Sequence, residues 1–255
     1  MYTQEQLTEQ VRALGVKDTD TLVVHTALKA VGEIDTKEKR PAVALIDALR
    51  ATVPNGLLLV PAFTFMNIRE EGPFFDVRHT KPCIGGMPCA AVEMANEAYD
   101  KGDETVIRSL NPSHSVVAFG KNARAYVADD AKAETPFPAF GSYGKMMTEG
   151  GKILFIGAPL STNSFIHALD EAIEPTGVHS PMDVTVTDYE GKTHARRAAR
   201  CQGSSSQYPL YLPYLEEAGA VTRGKVGDAD AILIDALLCT EVVWKTRATV
   251  RKMKV

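Results

Sequence analysis

The chain carries none of the short signatures that identify common enzymes. It has no G-x-x-x-x-G-K-[ST] phosphate loop, no G-x-S-x-G elbow, no H-E-x-x-H pair and no complete G-x-G-x-x-G. Cysteine is scarce: Cys83, Cys89, Cys201 and Cys239 are too few and too irregularly spaced in 255 residues for a disulfide framework. Cys83 and Cys89 lack C-x-x-C spacing, so no metal site is expected. There is no excess of basic charge. Net charge is −4, which excludes the electrostatic footprint of nucleic-acid binding and favours small-molecule partners. Apolar runs such as Ile153 to Ile156 have strand length and fall far short of a membrane span. The polar start, Met1 to Leu7, lacks the regions of a signal peptide, so a soluble, cytoplasmic protein with reduced thiols is expected.

What is present suits a globular α/β enzyme: 45% hydrophobic and 24% charged residues, with no linker-like tract dividing residues 1–255. A single domain with a central mixed sheet flanked by helices is expected. Leu7, Val11 and Leu14 have amphipathic helical spacing, stopped by Gly15. Thr21 to Val24 reads as a buried strand with His25 and Thr26 at its carboxyl end, where ligands of open α/β sheets gather. Arg40 to Val53 reads as a helix leading into the strand Leu57 to Val60. Pro61 to Gly86 loses periodicity and reads as a loop, followed by a helix over Ala90 to Tyr99. Strands are expected from Ser115 and over Lys152 to Ile156, then a helix capped by Asn163 or Ser164 with His167 near its first turn. A hairpin around Asp188 to Lys192, a helix over Pro209 to Ala218 and a core strand over Ala231 to Ile234 complete the pattern.

His167, with Asp170 one turn on and Glu171 beside it, joins a near-neutral titrating group to nearby acids. Spacing alone leaves catalysis and a satisfied structural histidine equally open. His25 and His114 suit backbone bonding as well as chemistry, whereas His79, His179 and His194 read as solvated. Glu70, Glu71 and Asp76 fit either a receptor for a cationic substrate or an exposed charged loop. Arg196-Arg197 reads as a solvated face, and Cys201 as either a buried inert thiol or an activated one.

Five segments in register resemble the aminoglycoside 3-N-acetyltransferase family, whose antibiotic acetyltransferase fold differs from the GNAT fold. They are Val24 to Gly32, Gly56 to Thr64, Arg108 through Asn111 to Gly120, Gly151 to Pro159 and Asn163 to Glu171, with agreement from about Thr3 to Asp235. The resemblance implies direct acetyl transfer from acetyl-CoA to a small amine, without a covalent enzyme intermediate. His167 would be the general base, needed because an ammonium has no lone pair. It further implies that His25, Thr26, Ala27, Leu28, Val31 and Gly32, together with Arg108, Ser109, His114 and Ser115, hold CoA, and that Thr64, Glu70, Glu71 and Ser142 face substrate. No metal is implied, and a homodimer is left open.

Two departures from the family stand out. Family members carry an acid on a strand facing the histidine, where this chain reads Ala198-Ala199-Arg200-Cys201-Gln202-Gly203; Asp170 or Glu171 is then the expected partner acid. Where the family usually has a second histidine, this chain has Asn111. A degenerate member that binds CoA without turnover is the alternative reading.

Overall fold

Residues 1–36, 39–68, 72–174, 180–201 and 204–253 are described by a computed structural model. Glu70, Glu71, His179, Gln202 and Gly203, which carried expectations above, lie outside these residues. The first helix, α1 (Gln4–Ala13), starts at Thr3 because Thr3 and Gln6 satisfy each other's backbone amides in a capping box. Buried Leu7 and Val11 face inward.

β1 (Thr21–Thr26), β2 (Leu57–Pro61) and β6 (Lys152–Ile156) are central strands, and their unbroken apolar runs follow from having layers on both faces. β1 pairs in parallel with both β2 and β6. β4 (Val106–Arg108), β5 (Val116–Phe119), β9 (Val221–Val226) and β10 (Ala229–Asp235) extend the sheet by antiparallel pairing. The seven-stranded mixed sheet runs β4, β5, β2, β1, β6, β10, β9. On one face α1 and α2 (Pro41–Thr52) pack together, with α3 (Gly86–Asp100) beside α2. Helices α5 (Ser142–Glu149), α6 (Ser164–Ile173), α7 (Leu212–Glu217) and α8 (Ala236–Val250) cluster on the other, while the short α4 (Ala123–Val127) lies against β4 and β5. Two of three buried clusters among the described residues flank this sheet: Leu22, Leu45 and Leu154 belong to one, Val23, Phe165 and Leu169 to the other. Each such fully buried side chain contributes roughly 1.5–3 kcal/mol of transfer free energy.

The stretch expected to be a loop contains β3 (Phe74–Asp76), which pairs in parallel with β7 (Met182–Thr187). β7 pairs in turn with β8 (Thr193–Ala198), giving the expected hairpin and a second, three-stranded sheet. A three-residue strand with one buried side chain leaves no periodic signal, which is why the sequence does not reveal β3. Likewise α3 starts at Gly86, ahead of its expected start at Ala90.

Candidate active site

β1 and β6 deliver their ends to the same edge of the sheet, the usual ligand position in such folds. After β6 the chain turns through Gly157, whose φ of +63° lies in the left-handed region that glycine tolerates. It re-enters a helix at Asn163, whose side-chain oxygen accepts from the Phe165 amide and so fixes the start of α6. Phe165, Ile166 and Leu169 are buried and anchor the helix, which turns His167 toward a cavity of about 270 Å3. His25, Thr26, Phe63, Phe65, His114, Ser164 and His167 are among its walls. Among the described residues, no Lys, Arg, Asp or Glu lines it.

Two aromatic side chains flank the His167 ring. Its Nδ1 is 2.7 Å from the Tyr208 hydroxyl, and the Tyr208 ring meets it edge-on at 4.8 Å. Phe137 lies parallel to it at 6.4 Å. The Tyr208 hydroxyl donates to Asp170 Oδ2 at 3.1 Å. Asp170 Oδ1 in turn accepts from Arg247 Nε at 2.7 Å and pairs with Arg251 at 3.0 Å. Arg247 also holds Glu174 at 2.7 Å.

Burial pulls the His167 imidazole down to about 4, opposed by the Asp170 charge and reinforced by Arg251. Burial likewise takes His25 to about 3 and His114 well below the ordinary value, the latter helped by neighbouring His167. All three rings are therefore neutral near pH 7. His25 stacks on Phe155 at 4.9 Å, and among the described residues neither its Nε2 nor the buried Thr26 Oγ1 has a hydrogen-bond partner. His114 packs against Phe63, Phe65 and Phe137 with Nδ1 2.7 Å from Ser113 Oγ.

The structure thus brings His25, Thr26, His114 and His167 to one cavity. The Tyr208 hydroxyl stands between Asp170 and His167 and is hydrogen-bonded to both. Glu171 turns away: its carboxylate accepts from the Phe137 amide at 3.0 Å, and burial raises its pKa. Arg108, at the end of β4, is buried, with four hydrogen bonds to Ser115 Oγ and the carbonyls of Val77, Thr80 and Ala62. Ser115 Oγ also donates to Ala62 O, and Ser109 Oγ accepts from the Val116 amide. Thr64 Oγ1 donates to Pro112 O, and Ser142 Oγ to Asp130, at the start of α5; both are buried away from the cavity walls. Ala27 and Leu28 open the turn after β1, Val31 enters the core, and Gly32, at φ +83°, sits where a Cβ would strike the Asp228 carboxylate.

Asn111, the residue at the second departure, organises its own loop. Its Oδ1 accepts from the amides of Ser113 and His114, and its Nδ2 donates to Pro136 O. Burial and the Glu171 and Asp170 carboxylates push the Cys201 thiol well up, which favours the inert thiol over the activated one. His79 and His194 are exposed beside Asp76 and Asp188. Sequence reasoning missed Tyr208, which stands 41 residues from His167 and directly before the segment expected to be helical. Only the aromatic pair Tyr208 and Tyr211, three residues apart and both buried, hinted that this segment packs inward.

Fold and site together define a class: a mixed α/β protein with a cavity at the carboxyl edge of its parallel strands and a helix-borne histidine in its wall. The chain belongs to the aminoglycoside 3-N-acetyltransferase family, which it matches over residues 23–246. Aminoglycoside N(3)-acetyltransferase III of Pseudomonas aeruginosa is 26% identical to it, covering 92% of this chain and 89% of that one. The fold is that of AAC-IIIb in its binary complex with CoASH, with a TM-score of 0.74 at 22% identity over 96% of this chain and 97% of that one. A variant of aminoglycoside acetyltransferase AAC(3)-IVa in complex with apramycin superposes with a TM-score of 0.75 at 20% identity, over 97% and 93%.

Proposed function

We propose that the protein transfers an acetyl group from acetyl-CoA directly to an amino group of an aminoglycoside or another small amine, with His167 as general base. The observation that carries this reading is the His167 ring itself, neutral, fixed through Nδ1 and bordering the cavity. Acetyl-CoA supplies the thioester that the amine attacks. His167 Nε2 takes the proton that the attacking nitrogen must lose, and returns it to the departing sulfur as CoASH leaves. A base so placed contributes roughly 10²- to 10⁴-fold. The unpartnered His25 Nε2 and Thr26 Oγ1 fit the amide groups of a pantetheine arm, since buried polar atoms normally find partners. The uncharged, partly aromatic walls suit the apolar stretches of that arm.

Thermal shift with CoA and with acetyl-CoA, followed by thiol release against apramycin, gentamicin and simple alkylamines, tests the reading. Stabilisation by both ligands is expected, with thiol release for at least one amine and its loss in His167→Ala. Stabilisation without turnover across the panel would identify a binder instead.

A further inference from the structure

The contacts behind His167 assign a role to a residue that spacing could not reveal. A phenol has one proton, and Tyr208 Oη lies within hydrogen-bond reach of two groups, His167 Nδ1 and Asp170 Oδ2. A carboxylate can only accept, and Asp170 already receives Arg247 and Arg251 on its other oxygen. The phenolic proton therefore points to Asp170, and the phenol oxygen is left to accept from His167. That requires His167 to carry its proton on Nδ1, which leaves the lone pair on Nε2.

We propose that Tyr208 is a positioning residue: it passes the orienting effect of Asp170 to His167 and holds the imidazole in the Nδ1–H tautomer that a base at this cavity needs. The inference rests on the reading of His167 as base. It accounts for the arrangement among the described residues, where no carboxylate is hydrogen-bonded to that ring: Asp170 acts at one remove, with a phenol between. No proton travels along this chain. When Nε2 takes the acceptor's proton, Nδ1–H stays bonded to Tyr208, and the Asp170 charge favours the imidazolium from a distance. Burial keeps Tyr208 protonated throughout, well above its ordinary pKa. Among the described residues, the charged and titratable groups about this ring are Asp170, Arg251 and His114, with Arg247 and Glu174 behind Asp170. The Cys201 thiol is close to the Asp170 and Glu171 carboxylates. Orienting partners of this kind are typically worth 10- to 100-fold when removed from ligating histidines, the closest measured parallel.

The test is ¹⁵N NMR of the intact, histidine-labelled protein at pH 7, with the His167 signal assigned by its loss in His167→Gln. The expected spectrum shows a neutral ring protonated at Nδ1 in the native chain, and a shift toward Nε2–H in Tyr208→Phe. With acetyl-CoA and apramycin as probes, Tyr208→Phe should lose about 10- to 100-fold in kcat with KM for acetyl-CoA unchanged, and its acid limb should move to lower pH. Asp170→Asn should shift the tautomer in the same direction. A native His167 protonated at Nε2 overturns the proposal without any variant, even if Tyr208→Phe does not fold. So does a Tyr208→Phe protein with native tautomer and native kcat beside an inactive His167→Ala. Full turnover in His167→Ala instead removes the base reading and the inference with it.

Discussion

Asp170 Oδ1 lies 2.7 Å from Arg247 Nε, both side chains 13% exposed, so α6 and α8 are tied at the point where α6 carries the candidate base. Replacing Arg247 by Ala leaves Asp170 with Arg251 and Tyr208 only. The expected loss is about 1.5–3 kcal/mol of stability, the range for a hydrogen bond to a charged group. Urea unfolding of Arg247→Ala measures it; an unchanged midpoint would show that Arg251 alone suffices. Arg247→Lys should recover only part, because a single ammonium cannot hold Asp170 and Glu174 with one planar fork.

Acidification should destabilise the protein through its cavity histidines. An unfolded imidazole binds its proton near pH 6.5, whereas the folded chain resists until about pH 4 at His167 and about pH 3 at His25. Between those limits the unfolded state holds more protons, so stability rises with pH and falls as pH drops below 6.5. Going from pH 7.5 to 5 should remove on the order of 1–2 kcal/mol per histidine, His114 included. Urea midpoints at the two pH values give the slope. Substituting His25 by Gln should flatten it by about one proton's worth.

Arg108 separates two roles cleanly. Its donors are committed to Ser115 and three backbone carbonyls, so Arg108→Ala should strand buried acceptors and cost about 3–5 kcal/mol, with loss of soluble protein. Arg108→Lys should rescue little. A soluble, stable Arg108→Ala whose KM for acetyl-CoA alone rises would instead support the phosphate contact that the family resemblance implies.

Thiol labelling should follow burial. With iodoacetamide at pH 8, Cys83, which is exposed, should modify first, whereas Cys201 and Cys239, both with raised pKa, should react only on unfolding. Mass spectrometry of the labelled peptides ranks the sites. Rapid modification of Cys201 in the folded chain would contradict the burial that holds its thiol protonated.

The central strands were legible because β1, β2 and β6 are apolar on both faces and of strand length. The Asn163 cap and the place of His167 in α6 followed from local chemistry, and the structure bears out that cap. Polar edge strands such as β9, whose middle residues are exposed, carry no such pattern. The last helix, α8, mixes apolar and polar residues around its circumference and escaped for the same reason. At the site, spacing offered Asp170 and Glu171 as equals. Packing distinguishes them, since Asp170 meets Tyr208 and Glu171 meets the Phe137 amide, and both contacts join segments far apart in the chain.

Arg247 stands in α8 and Arg251 just beyond it, yet they fix the acid that stands behind a histidine on α6. During synthesis the ribosome releases α6 and the whole parallel core well before these arginines. The parallel strands and the residues that line the cavity therefore precede in the chain both cations that pin Asp170. The carboxylate behind His167 is thus pinned by a segment that follows it by 77 residues.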